Sequence, residues 1–257
     1  MNSLFNAAHF QIKIRRDNIL EDSLNNLVNR QISNEQIRKP LRVYFENEPA
    51  IDEGGVKKEY FQLVFKELFN PDWGMFMYNP ENRLYWFNGK TFEDPLKFEL
   101  IGTLLGLAAS NQVILDIPIM SACYKLLLGE KPNFEDLEMW QPQVAQSFKF
   151  MLEYDKAEPL EEILARTFTY DSEIFGEKIT EELKEGGKDI LVTKENRQEF
   201  VNLYIEFLFE IQCKVQIESF KKGFFRLFDR HMLHNLYSPE ELEQFVCGCK
   251  NLDFRQL

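Results

Sequence analysis

Apolar positions recur along this chain with two periods, and each change of period marks an element. Phe10, Ile12 and Ile14 alternate with polar residues, which predicts a short strand. Ile19, Leu20, Leu24 and Leu27 then fall on one helical face. Leu41-Arg42-Val43-Tyr44-Phe45, following Pro40, predicts a second strand. After Gly54-Gly55, the residues Tyr60, Phe61, Val64, Phe65 and Leu68 recur at helical spacing until Asn70-Pro71-Asp72 ends the run. Glycine tolerates positive φ, so the pair can turn the chain sharply into that helix. Asp52 and Glu53 stand just ahead of it, where the positive end of the helix dipole favours carboxylates. Gly74-Met75-Phe76-Met77-Tyr78 and Arg83-Leu84-Tyr85-Trp86-Phe87 flank Asn79-Pro80-Glu81-Asn82 and read as a β-hairpin.

Asp94-Pro95 opens a helix that runs through Ala109 and is apolar nearly all round, so it is expected at the buried centre of the domain. Gly102 and Gly106 share a face of that helix and permit another backbone to approach; plain packing is the favoured reading. Ile114 to Gly129 predicts a further helix, broken by Pro118 near its start. From Pro142 to Tyr154 a helix carries Val144, Phe148, Met151 and Leu152. Lys156 to Glu162, with Pro159, reads as a loop. Ile179 to Thr193 holds Gly186-Gly187 between two strand-like pieces, and Thr193 can cap the next helix. Lys194 to Gln256 reads as helical with breaks near Gly223 and Pro239. The fold class is α+β and mainly helical.

One helix stands apart. Between Lys194 and Cys213, Phe200, Leu203, Tyr204, Phe207 and Ile211 share one side, and Val201, Ile205 and Leu208 extend it. The apolar arc covers about 200°, where a single core-facing stripe needs only about 100° or somewhat more. Such a helix is either packed on two sides, the favoured reading from periodicity alone, or turns part of its arc to a partner.

Charge narrows the choice of partner. The 257 residues carry 30 Lys and Arg against 42 Asp and Glu, a net charge of −12. That argues against nucleic acid or an anionic membrane as the main partner and favours a basic protein surface. Four scattered cysteines, Cys123, Cys213, Cys247 and Cys249, fit a reducing compartment better than a disulfide scaffold. Met1 to Phe10 lacks the pattern of a signal peptide, and Leu100 to Ala109 is too short to span a bilayer. These features predict a cytosolic or nuclear protein.

Ile51-Asp52-Glu53-Gly54-Gly55-Val56-Lys57-Lys58-Glu59-Tyr60-Phe61 resembles the signature near the start of the HECT domain of ubiquitin-protein ligases. The resemblance continues collinearly through Asn70-Pro71-Asp72-Trp73-Gly74, Leu84-Tyr85-Trp86-Phe87, Ile101-Gly102-Thr103-Leu104, Asn196-Arg197-Gln198-Glu199-Phe200, Phe220-Lys221-Lys222-Gly223-Phe224 and Cys247 to Phe254. It covers about Phe10 to Phe254, and the branch that includes the HERC ligases is nearest. It implies the N-terminal lobe of a HECT domain, with a larger subdomain at 1–141 and 216–257 and a smaller one at 142–215. In that family the smaller subdomain receives a ubiquitin-conjugating enzyme. By the resemblance, Phe200, Tyr204, Phe148, Tyr154, Ser147, Val144 and Leu164 line the docking groove. The chain departs from the family at Asp155 to Glu162, where it is longer, and at Arg166, where an apolar groove residue is expected.

The partners so implied are a ubiquitin-conjugating enzyme, ubiquitin carried as a thioester, and substrate proteins held by regions outside the chain. Neither nucleic acid nor a membrane is expected, and no cofactor. The family's reactive cysteine lies in a C-terminal lobe, and none of the four cysteines here sits in the family's Thr-Cys-Phe context. No catalytic residue is therefore expected, and the chain should bind a conjugating enzyme without forming a ubiquitin thioester. A catalytically silent helical scaffold is the alternative. Cys247-Gly248-Cys249 with His231 and His234 does not match structural zinc spacing, so no metal site is expected.

Overall fold

The computed structural model describes residues 8–30, 32–48, 54–174 and 177–248, so Ile51 to Glu53 and the segment from Cys249 lie outside the described residues. In chain order the elements are β1 (Phe10–Ile14), α1 (Ile19–Leu24), α2 (Asn34–Ile37), β2 (Leu41–Phe45), α3 (Gly55–Leu68), β3 (Phe76–Asn79), β4 (Leu84–Phe87), α4 (Pro95–Ser110) and α5 (Ala122–Leu128). There follow α6 (Phe134–Trp140), α7 (Pro142–Glu153), α8 (Leu160–Leu164), β5 (Thr169–Ile174), β6 (Glu177–Glu182), α9 (Arg197–Glu206), α10 (Lys214–Phe224), α11 (Arg230–Leu236) and α12 (Pro239–Cys247). The fold is α+β and mainly helical. It divides into a larger unit, 1–78 with 85–129 and 215–257, and a smaller unit, 79–84 with 130–214.

In the larger unit β1 and β2 pair in parallel, Phe10 opposite Leu41 and Ile14 opposite Phe45. Parallel strands need a crossover connection, and α1 and α2 supply it. Gly54 takes φ +103° immediately before α3, as the glycine pair predicts. α4 is buried from Phe98 to Ala109. Its glycines are explained by packing: a Cβ on Gly102 would lie 1.9 Å from the Phe220 carbonyl oxygen, and one on Gly223 would lie 2.0 Å from that of Glu99. α4 and α10 therefore touch backbone to backbone. Glu99, buried in α4, is neutralised across this crossing by Lys222 Nζ at 2.6 Å.

The helix expected over 114–129 is confined to Ala122–Leu128. Residues 113–120 instead run extended, because neighbouring backbone takes up their hydrogen bonds. Leu115 N donates to Val246 O at 3.2 Å, Tyr85 N to Pro118 O at 2.7 Å, and Met120 N to Tyr85 O at 3.1 Å. Pro118 and the β-branched Ile114, Ile117 and Ile119 suit that conformation.

In the smaller unit α6 begins with a capping box of Asn133 and Asp136, and α7 begins with Pro142 in its first turn. Part of the loop expected over 156–162 is helical: Pro159 starts α8, and Leu160 is buried. The paired strands are β5 and β6, antiparallel with Thr169 opposite Glu182, and they precede the glycines. Gly186 turns the chain at φ +69° after β6, and Gly187 lies so close to the Phe168 carbonyl that a Cβ would come within 2.5 Å. α9 opens after Asn196 rather than at Thr193; the Asn196 side-chain oxygen accepts from Thr193 N at 2.8 Å.

Candidate functional site

The smaller unit is built around a cluster of aromatic rings from three segments. α7 contributes Phe148, α9 contributes Phe200 and Tyr204, and the third segment contributes Phe168, just before β5, and Tyr170, within it. Phe148 meets Phe200 edge to face at 5.4 Å and Tyr204 at 4.9 Å. Phe168 meets Phe200 at 5.5 Å, and Tyr170 meets Tyr204 at 5.2 Å. Tilted and edge-on rings at these separations add to area burial. Phe200 is 0% exposed, Phe148 2% and Tyr204 6%. Burial is the largest reason that the Tyr204 hydroxyl titrates well above its ordinary range.

The helix with the wide apolar arc is packed on two sides. Val201 and Ile205 are buried along with Phe200 and Tyr204, and Phe207, Leu208 and Phe209 stay buried as the helix widens through Phe207–Ile211. Ile211, at the end of the arc, is exposed.

The residues singled out from sequence differ in burial. Phe148, Phe200 and Tyr204 come together and are buried. Tyr154 is also buried, beside the Lys194 ammonium at 5.4 Å from its ring. Val144 lies one turn before Phe148 and is half-buried, Ser147 is exposed with its hydroxyl donating to Gln143 O at 3.0 Å, and Leu164 is half-buried at the end of α8. These three are the members of the set with surface to offer.

Periodicity did not single out three further residues. Phe168 and Tyr170 were detectable in principle as an i, i+2 pair of aromatics on a strand face. Arg197 was not: its guanidinium donates to the carbonyls of Met151 at 2.9 Å and Tyr154 at 2.6 Å, which ties the start of α9 to the end of α7. Arg166 follows Ala165, a non-glycine residue at φ +44°, and lies over the aromatic cluster.

Charge is divided unevenly. The smaller unit holds 11 Lys and Arg against 21 Asp and Glu, net −10, which leaves −2 for the larger. Cys123 and Cys213 are buried, and Cys247 Sγ lies 3.1 Å from the Tyr124 hydroxyl. Among the described residues no three His, Cys, Asp or Glu side chains gather as a metal site.

The family model described as HECT-domain (ubiquitin-transferase) matches residues 62–257. The chain is 40% identical over 244 residues to the Homo sapiens "Probable E3 ubiquitin-protein ligase HERC4", covering 95% of this chain and 23% of that protein. It is 37% identical over 246 residues to the Homo sapiens "Probable E3 ubiquitin-protein ligase HERC3", covering 96% and 23%. To the Mus musculus "Probable E3 ubiquitin-protein ligase HECTD2" it is 34% identical over 271 residues, covering 100% and 34%. The chain thus spans between 23% and 34% of the length of each of these relatives.

Proposed function

The chain belongs to the HECT-domain (ubiquitin-transferase) family, and from that premise we propose that its smaller unit docks a ubiquitin-conjugating enzyme. Ubiquitin carried by that enzyme as a thioester then passes to a cysteine outside this chain, and from there to a substrate lysine. The observation that supports this reading is a packed aromatic cluster with less buried neighbours. Phe148, Phe200 and Tyr204 pack ring against ring, and Val144 and Ser147, on the same helix as Phe148, keep part of their surface exposed. An apolar side chain of the partner can seat against such a surface without the site having to reorganise, which lowers the ordering cost of binding. A carrier that must leave again needs a small, transient interface. The −10 charge of the unit suits a basic partner face.

Cys123 and Cys213 are buried, which argues against either thiol as an acyl acceptor. Incubation with a ubiquitin-charged conjugating enzyme should give no reducible ubiquitin adduct on this chain; such an adduct would contradict the assignment. The direct test is a calorimetric titration against a panel of conjugating enzymes, with Val144→Asp beside the wild type. We expect micromolar binding to a few members, weakened by about tenfold or more in Val144→Asp at unchanged thermal midpoint. Equal binding by the variant would contradict the reading.

A further inference from the structure

Arg166 is held over three rings at once. Its guanidinium carbon is 5.3 Å from the Phe200 centroid and 6.0 Å from those of Phe148 and Tyr204. The backbone that carries it is fixed on both sides: Ala165 takes a left-handed conformation, Val192 N donates to Arg166 O at 2.8 Å, and Thr167 bridges to Leu191. Left-handed backbone is unfavourable for a residue with a Cβ, so the turn is maintained at some expense. Yet the group it presents is unsatisfied. Arg166 Nε is buried with no hydrogen-bond partner, and among the described residues no carboxylate comes within ion-pair distance of the guanidinium. This occurs in a unit with 21 acidic residues.

The ring faces attract the cation but leave its five N–H donors unanswered. Water can serve the terminal N–H donors only while the site is open, and it does not reach the buried Nε–H. A docking side chain that displaces that water leaves a desolvated, unpaired charge, a costly state unless the partner supplies the counter-charge. A guanidinium is a planar fork that matches a carboxylate through two parallel hydrogen bonds. We propose that Arg166 is a specificity-determining residue, which admits conjugating enzymes that place an Asp or Glu carboxylate beside their apolar anchor and rejects those that do not. The inference rests on the docking reading above.

The test is a double-mutant cycle. Arg166→Leu is titrated against the enzyme panel, and each Asp and Glu on the docking face of the preferred enzyme is changed to Asn or Gln. Arg166→Leu should keep or raise the thermal midpoint, because it removes an unpaired charge. It should weaken the preferred enzyme about tenfold and narrow the spread of affinities across the panel. One acidic position should couple to Arg166 by about tenfold, and Arg166→Lys, which keeps the charge without the fork, should not restore binding. Unchanged rank order with Arg166→Leu, or no coupled acidic position, overturns the proposal. If Val144→Asp still abolishes binding in that case, docking stands and only the role of Arg166 falls. If Val144→Asp also binds normally, docking here falls and this inference with it.

Discussion

At the scale of single residues, burial decides which substitutions report on docking and which report on folding. Phe200 is fully buried against Phe148 and Phe168. Phe200→Ala leaves a cavity and should cost about 3–5 kcal/mol of stability, read as a lower denaturant midpoint at unchanged slope. A loss of binding in that variant would follow from unfolding as readily as from a lost contact. Val144 and Ser147, with surface to spare, separate the two effects. Residue spacing put Phe148 on one helix and Phe200 with Tyr204 on one side of another; it was the family resemblance that grouped the three. The resemblance put Arg166 at a groove position, but spacing alone could not bring it onto those rings, because its position depends on the left-handed turn at Ala165 and alanine carries no signal for such a turn. Arg197 was hidden for a related reason: its partners are backbone carbonyls, which no side-chain pattern announces.

Among the elements, α4 and α10 make the most exacting contact of the larger unit. Each helix brings a glycine to the crossing, and a methyl group on either would collide with carbonyl oxygen rather than with a side chain that can move. Gly102→Ala and Gly223→Ala should each destabilise by about 1–3 kcal/mol or more, measured by chemical denaturation, despite alanine's better helix propensity. A neutral result would contradict the backbone contact between the two helices. The all-round apolar pattern announced α4 well, since only a helix surrounded by protein tolerates it. The stretch 114–120 reads as helical from sequence because its apolar spacing is ambiguous at that length. Its true partners, Tyr85 and Val246, are distant in sequence and visible only after folding.

The whole molecule adds effects that no single element carries. Tyr60, Tyr124 and Tyr204 are buried, and burial is the first cause of the rise in each phenol's pKa. Their folded values therefore lie above the unfolded value near 10. Stability from these groups is complete below about pH 10 and is lost as pH rises beyond it, by about 1.4 kcal/mol per pH unit for each phenol that ionises only when unfolded. Thermal midpoints should fall steeply between about pH 10 and 11, and less so in Tyr204→Phe. Charge acts at the same scale. With −10 concentrated in the smaller unit, association with a basic partner should slow as salt rises and the screening length falls below about 10 Å. The total charge was plain from composition; its concentration in one unit needed the fold.

The most direct measurement of the central claim is amide hydrogen exchange of this chain, alone and with the preferred conjugating enzyme in excess. The account predicts slowed exchange over Pro142–Glu153 and Leu160–Arg166, with α4 and α10 unchanged. Protection confined to other segments, or none at saturating enzyme, would contradict it.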